Sequence, residues 1–178
     1  MPKPKKALVV DASVARSAGI TDHPTSIHCR SFLTVFKEQG LLIVMSPEIR
    51  AEWEKHRSNF SYKWLAQMKA RRRIVDVGNV KDDLLRERID KTSDKEKGRR
   101  AMEKDCLLLE AALKSDHRVA SLDETVRNLF HHAAKTVREI RSIVWVNPDK
   151  EEENVIAWLQ NGVPADKKRQ LGYVAVTP

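Results

Sequence analysis

The chain is poor in the residues that several common kinds of site require. Its two cysteines, Cys29 and Cys106, lie far apart, and neither has a second cysteine or a histidine at ligand spacing. That excludes a disulfide framework and a thiolate zinc centre, and leaves two reduced thiols, with Cys106 beside Leu107 reading as core. The six glycines form no Gly-rich loop between a strand and a helix, so P-loop and dinucleotide-binding folds are excluded. No apolar run approaches the ~18 residues of a membrane span. The stretch MPKPKKALVVD reaches an aspartate after only a few apolar residues, unlike a secretory signal. The expectation is a soluble cytoplasmic protein without internal repeats, of a length that suits one well-buried domain.

Acidic residues are also in deficit, with 25 Asp and Glu against 33 Lys and Arg, for a net charge of +8. A basic excess suits a polyanionic partner, because each cation placed near a phosphate releases counterions. The densest basic run is Lys69, Arg71, Arg72 and Arg73, a candidate phosphate contact. The competing reading is a solvated helix end, where cations are favoured anyway.

What the chain does have is four acids placed alike. In LVVDAS a short apolar run stops at Asp11, the pattern of a buried parallel strand that delivers a carboxylate to its carboxyl end. In LLIVMSPEIRAEWEKH a strand passes through Ser46 and Pro47 into a helix bearing Glu48 and Glu52. Glu48 is explained by the positive end of that helix, whereas Glu52 flanks the inward face. EKDCLLLEAAL puts Asp105 at the front of an amphipathic helix, on the face of Leu108 and Leu109, and RVASLDETV ends a strand at Asp123.

Further elements follow the same alternation. A helix opens at Pro24 and closes at Gly40, and another runs from Pro47 to about Ala70 with a break near Asn59 to Ser61. Arg73 to Val77 reads as an edge strand, and the charged Asn79 to Lys104 stretch as peripheral helix. A strand at Ile143 to Val146 is followed by Asp149, a candidate cap for a last helix that Gly162 ends. Lys167 to Pro178 reads as a disordered tail or an added edge strand through Tyr173 to Val176. This alternation predicts an α/β fold, a three-layer α/β/α sandwich with a central, mainly parallel sheet of four to five strands. Residues 1–148 form the domain, and 149–178 a helix and tail packed on it or extending it.

In a right-handed βαβ unit the helix runs opposite to the strands, so helix fronts and strand ends share one rim. Asp11, Glu52, Asp105 and Asp123 are therefore expected to converge where open α/β sheets bind ligands. Gathered anions repel until some take protons, unless a divalent cation removes the conflict. Oxygen donors without His or Cys spacing suit Mg2+ or Mn2+. Such an ion can activate a bound water and neutralise the leaving oxygen of a phosphodiester. With the basic surface, the expectation is metal-dependent nucleic-acid hydrolysis. The duller readings are Asp11 and Asp123 as helix caps and Glu52 as a helix acid paired with Lys55 or His56. A haloacid-dehalogenase-like phosphatase would need a second acid two residues after the first, where Ser13 stands.

The ordered set VVDAS, SPEIRAE, DCLLLEAAL and VASLDE resembles the PIN-domain ribonucleases, over roughly Ala7 to Val146. The resemblance implies Mg2+ or Mn2+ dependence and cleavage of single-stranded RNA that leaves a 5′-phosphate. Asp11, Glu52, Asp105 and Asp123 match the family's acids, and Ser13 and Ser121 its small polar positions beside the first and last acid. On that basis Asp11 and Asp105 are expected to hold the metal most directly, with Glu52 and Asp123 completing the site, partly through water. The family includes toxins of bacterial toxin–antitoxin pairs, which implies an antitoxin protein and a homodimer as partners. The sequence departs from the pattern at SLD, where a threonine often precedes the last acid, in the long charged segment, and beyond Pro148. The alternative expectation is a PIN-like module that binds RNA or protein without cutting.

Overall fold

The computed structural model describes residues 5–176. Five strands form its centre: β1 (Ala7–Val10), β2 (Leu42–Met45), β3 (Ile74–Asp76), β4 (Arg118–Ala120) and β5 (Val144–Val146). They pair in the order β3-β2-β1-β4-β5, and every pair is parallel. All four residues of β1 are buried, as expected for a strand covered on both faces. The fold is an α/β/α sandwich, with helices on both sides of the sheet. The chain builds outward from β1 through β2 to β3, then crosses to β4 on the other side. The order therefore reverses between β1 and β4, and a crevice opens at their carboxyl ends.

Among the described residues eight α-helices surround the sheet: α1 (Ala12–Ser17), α2 (Pro24–Glu38), α3 (Pro47–His56), α4 (Asn59–Ala70), α5 (Asp83–Asp90), α6 (Glu96–Leu113), α7 (Glu124–Ala133) and α8 (Val155–Gln160). Several begin where sequence chemistry places them. Ser46 accepts a hydrogen bond from the Ile49 N–H with Pro47 in the first turn, and Ser58 caps α4 through the Ser61 N–H. Such caps satisfy orphan N–H groups, at roughly 1 kcal/mol each. Ser58 also sets the break between α3 and α4 one residue earlier than the sequence pattern suggests.

Two expectations are corrected. Asp105 does not open its helix, because α6 begins at Glu96 and runs for 18 residues. Of its first nine residues, about 13 Å at 1.5 Å each, only Met102 is buried, and the continuous buried face begins at Cys106. The highly charged overhang hid the helix start from an apolar pattern. Asp149 does not cap the last helix either. Its carboxylate accepts from Thr25 Oγ1 at 2.9 Å and lies 2.9 Å from His28 Nδ1, which ties the segment after β5 to α2. The N-cap of α8 is Asn154, in the left-handed region at φ 47°.

The C-terminal segment joins the same body. Helix α8 packs on α2, and Leu171 is buried. Gln170 makes an isolated antiparallel bridge to Val144, and the Leu171 N–H donates to Ile143 O at 2.9 Å. Tyr173–Val176 do not form a strand, and 177–178 lie outside the described residues. All four tryptophans are buried. Trp53 Nε1 donates to Val10 O at 2.8 Å and Trp64 Nε1 to Leu33 O at 2.6 Å, so these indoles pack rather than bind. Among the described residues no helix is long and apolar enough to cross a membrane.

Candidate carboxylate site

The rim above β1 and β4 gathers the predicted acids. Asp11 follows β1, and its N–H donates to Ala120 O at 2.9 Å, which fixes the two strand ends together. Its Oδ2 accepts from Ser13 Oγ at 2.5 Å and from Ser121 Oγ at 2.8 Å. Both hydroxyls also accept: Ser13 Oγ from the Leu122 N–H and Ser121 Oγ from the Asp123 N–H, each at 3.2 Å. The serines thus cross-link the loops after β1 and β4, and hold one Asp11 oxygen in a fixed direction. Among the described residues no hydrogen bond engages Asp11 Oδ1, which leaves it available to a ligand.

Asp123 serves two ends. It is the N-cap of α7, with Oδ1 accepting from the Val126 N–H at 2.9 Å, so its cap reading holds. Its Oδ2 has no such bond, and the residue still lines the cleft. Glu52 is carried by α3, which the Trp53 indole ties to the end of β1. Its Oε2 lies 3.5 Å from His56 Nε2, one helical turn on.

Asp105 is the most telling of the four. No ion pair or side-chain hydrogen bond engages it among the described residues. Burial first, then the charges of Asp11 and Asp123, push its carboxyl up to about 7, with Glu52 adding to them and Lys104 opposing. Asp11, Ser13, Glu52, Asp105 and Asp123 line one cleft of about 170 Å³. Ser121 is fully buried beneath it.

Two cations at this cleft, Arg16 and Lys104, escaped the sequence reading, and His56, there only a possible partner of Glu52, also lines it. Arg16 stands three residues after Ser13 on α1 and His56 four after Glu52 on α3, spacings that share a helix face and offered a signal. The run Lys69, Arg71, Arg72 and Arg73 lies elsewhere. It precedes β3, whose Ile74 pairs with Ile43, which in turn pairs with Leu8. In a parallel sheet that is the amino edge, about 13 Å of strand below the level of Asp11 at 3.3 Å per residue. Arg73 is also occupied, with Nη1 donating to Lys37 O at 2.7 Å. The run and the acids do not share a rim.

The donor set is all oxygen apart from His56, and suits a hard divalent cation such as Mg2+ or Mn2+, which keeps several waters and needs only one or two carboxylates. Asp11, Glu52, Asp105 and Asp123 are the cleft carboxylates that would hold such an ion. As they stand, no three His, Cys, Asp or Glu side chains among the described residues are drawn together tightly enough to chelate an ion. Comparison with family models, with curated proteins and with solved structures finds no match for the chain.

Proposed function

We propose that this chain is a metal-dependent endoribonuclease of the PIN type, which hydrolyses phosphodiester bonds of single-stranded RNA at the Asp11–Asp105 cleft. The observation that carries this reading is Asp105: a carboxyl pushed up to about 7, facing further acids with no cation of the chain paired to it. Folding gains nothing from such a group, so its place is explained by what it binds. A bound Mg2+ or Mn2+ would supply an activated water and charge neutralisation at the leaving oxygen.

The chain's own residues do the rest. Ser13 and Ser121 orient Asp11 by donating to Oδ2, so that Oδ1 faces the cleft without rotation. Asp105, its carboxyl pushed up to about 7, would lose its proton on holding a cation, which would make metal affinity rise with pH. Glu52 and Asp123 would complete the ion's surroundings, partly through water. Arg16 and Lys104 offset the repulsion between the acid cleft and an approaching phosphate. The basic balance of the chain favours a polyanion over a small neutral substrate. A cytoplasmic enzyme with an antitoxin partner and a dimeric state follows from the family resemblance.

The test is cleavage of a labelled single-stranded RNA by purified protein, with Mg2+, Mn2+ or EDTA. Activity with either metal, lost in EDTA and in Asp105→Asn, supports the reading. A second reading, a module that binds without cutting, is favoured by the loose spacing of the acids. Binding without any cleavage under those conditions would establish it instead.

A further inference from the structure

We infer that the RNA has a second contact beside the carboxylate cleft, where the Tyr62 ring and the Arg57 guanidinium form a stacking platform for one base of the strand. This rests on the ribonuclease reading and adds the surface that grips the substrate. Tyr62, in the first turn of α4, is 53% exposed. The Arg57 guanidinium carbon stands 4.5 Å from its ring centroid. An aromatic ring left in solvent and steadied by a cation is what single-strand binding uses, because every base offers a π face. Among the described residues the other exposed aromatic ring is Tyr173, which follows the segment along the outer edge of β5.

The platform does not itself line the cleft, but three connections tie its segment to residues that do. Arg57 directly follows His56, which lines the cleft with Glu52. The Ser58 N–H donates to Ala15 O at 3.2 Å, and the hydroxyls of Ser58 and Ser61 donate to Ala18 O and Ala15 O at 2.7 and 2.8 Å. The start of α4 is thereby fastened to α1, whose exposed Arg16 also lines the cleft. From Glu52 to Arg57 the helix advances about 7.5 Å, on the order of two stacked nucleotides at ~3.4 Å each.

Charge and rigidity agree with that path. Arg57 is the platform's own cation, the exposed Lys63 follows Tyr62, and Arg16 lines the cleft, so a strand running between cleft and platform has cations to meet its phosphates. The hydrogen bonds of Ser58 and Ser61 hold the kink between α3 and α4 in one geometry, so stacking loses little ordering entropy. The Lys69–Arg73 run, at the opposite edge of the sheet, cannot serve a strand on this path.

The experiment is fluorescence anisotropy with a labelled oligouridylate of about 12 nucleotides, in Ca2+ in place of Mg2+, alongside steady-state cleavage in Mg2+. Tyr62→Ala should weaken binding about tenfold, Tyr62→Phe should bind like the original chain, and Arg57→Ala should lose about threefold. In cleavage, Tyr62→Ala should raise KM with kcat held, because the ring touches no reacting atom. A single abasic nucleotide scanned along the RNA should weaken the original chain at one position and leave Tyr62→Ala unaffected there. If the original chain cleaves RNA and Tyr62→Ala matches it in affinity and KM, the platform is overturned and the ribonuclease reading stands. If the original chain neither binds nor cuts single-stranded RNA, that reading falls and takes the platform with it.

Discussion

Asp123 and Glu124 are neighbours at the start of α7, yet they belong to two groups of acids that the chain treats in opposite ways. Glu124 accepts from Asn147 Nδ2 at 3.0 Å and pairs with Lys150 at 3.1 Å and Arg127 at 3.2 Å. Glu153, beside it, is ion-paired with Arg127 and lies 3.8 Å from Arg169 Nη1. Burial opposes the charge on Glu124, but Asn147, Lys150 and Arg127 outweigh it and hold its carboxyl below the usual range. Across the rim, Asp105 has comparable neighbours of the wrong sign, and its carboxyl moves the other way. Where acids serve the fold, the chain supplies their counter-charges from its own side chains. Where it withholds them, at Asp105, the carboxyl keeps its proton up to about 7.

The sharpest break of this contrast is at the unpaired group. Asp11→Asn or Asp105→Asn should lower Mg2+- or Mn2+-dependent RNA cleavage by roughly a thousandfold or more, since each removes a charge that positions the ion. Single-turnover kinetics would measure it, with circular dichroism confirming an unchanged fold. Retained cleavage in both variants would move the chemistry away from this cleft.

At the paired group the loss should appear in stability instead. Glu153→Ala leaves Arg127 and Arg169 half-buried without their shared carboxylate, and should cost about 3 kcal/mol in urea denaturation, with cleavage per folded molecule unchanged. A loss of cleavage without a loss of stability would erase the distinction between the groups.

A third test inverts the sign. The Asp105 carboxyl sits at about 7 in the folded chain, against about 3.9 in an unfolded one. Between those values the folded state holds a proton that the unfolded chain has released. Stability without metal therefore falls as pH rises through that window and levels off above it. Asp105→Asn should escape the loss, gaining on the order of 1–3 kcal/mol at pH 8 in EDTA and almost nothing near pH 4. Added Mg2+ should stabilise the original chain at pH 8 and leave the variant nearly unmoved.

The smallest effect is expected from the basic run. Replacing Lys69, Arg71 and Arg72 by glutamine should leave KM and the salt dependence of RNA binding within about twofold, because those cations lie away from the rim. Arg16→Gln should flatten the salt dependence by roughly one phosphate contact. The opposite ranking would put the substrate across the amino edge of the sheet.

These placements show which features local pattern could reveal. The strand end at Asp11 was legible because a buried parallel strand is an apolar run with a sharp stop, whereas β4 stops at Ala120 and Asp123 caps α7 instead of ending the strand. The start of α3 was legible too, from a Ser-Pro-Glu signature. The front half of α6 was not, because Glu96–Lys104 carries charge where a helix pattern needs an apolar stripe. Nor was Glu110, which is 3% exposed and bonded twice to Arg86 at 2.7 and 2.8 Å, since its partner comes from another helix. The misplaced basic run was legible in principle. It stands before a strand, and in an all-parallel sheet that assigns it to the edge away from the acids.

The bridge from Gln170 to Val144 gives the C-terminal segment a protective duty. An open outer strand invites neighbouring molecules to add their own, the usual first step of aggregation. Here a short piece of the same chain seals that flank, and at Gly172, where a Cβ would lie 2.7 Å from Arg141 Cβ, only the smallest residue lets it lie close. Clipping the chain after Arg169 should therefore spare the carboxylate rim while turning a self-contained molecule into one that sticks to its own kind.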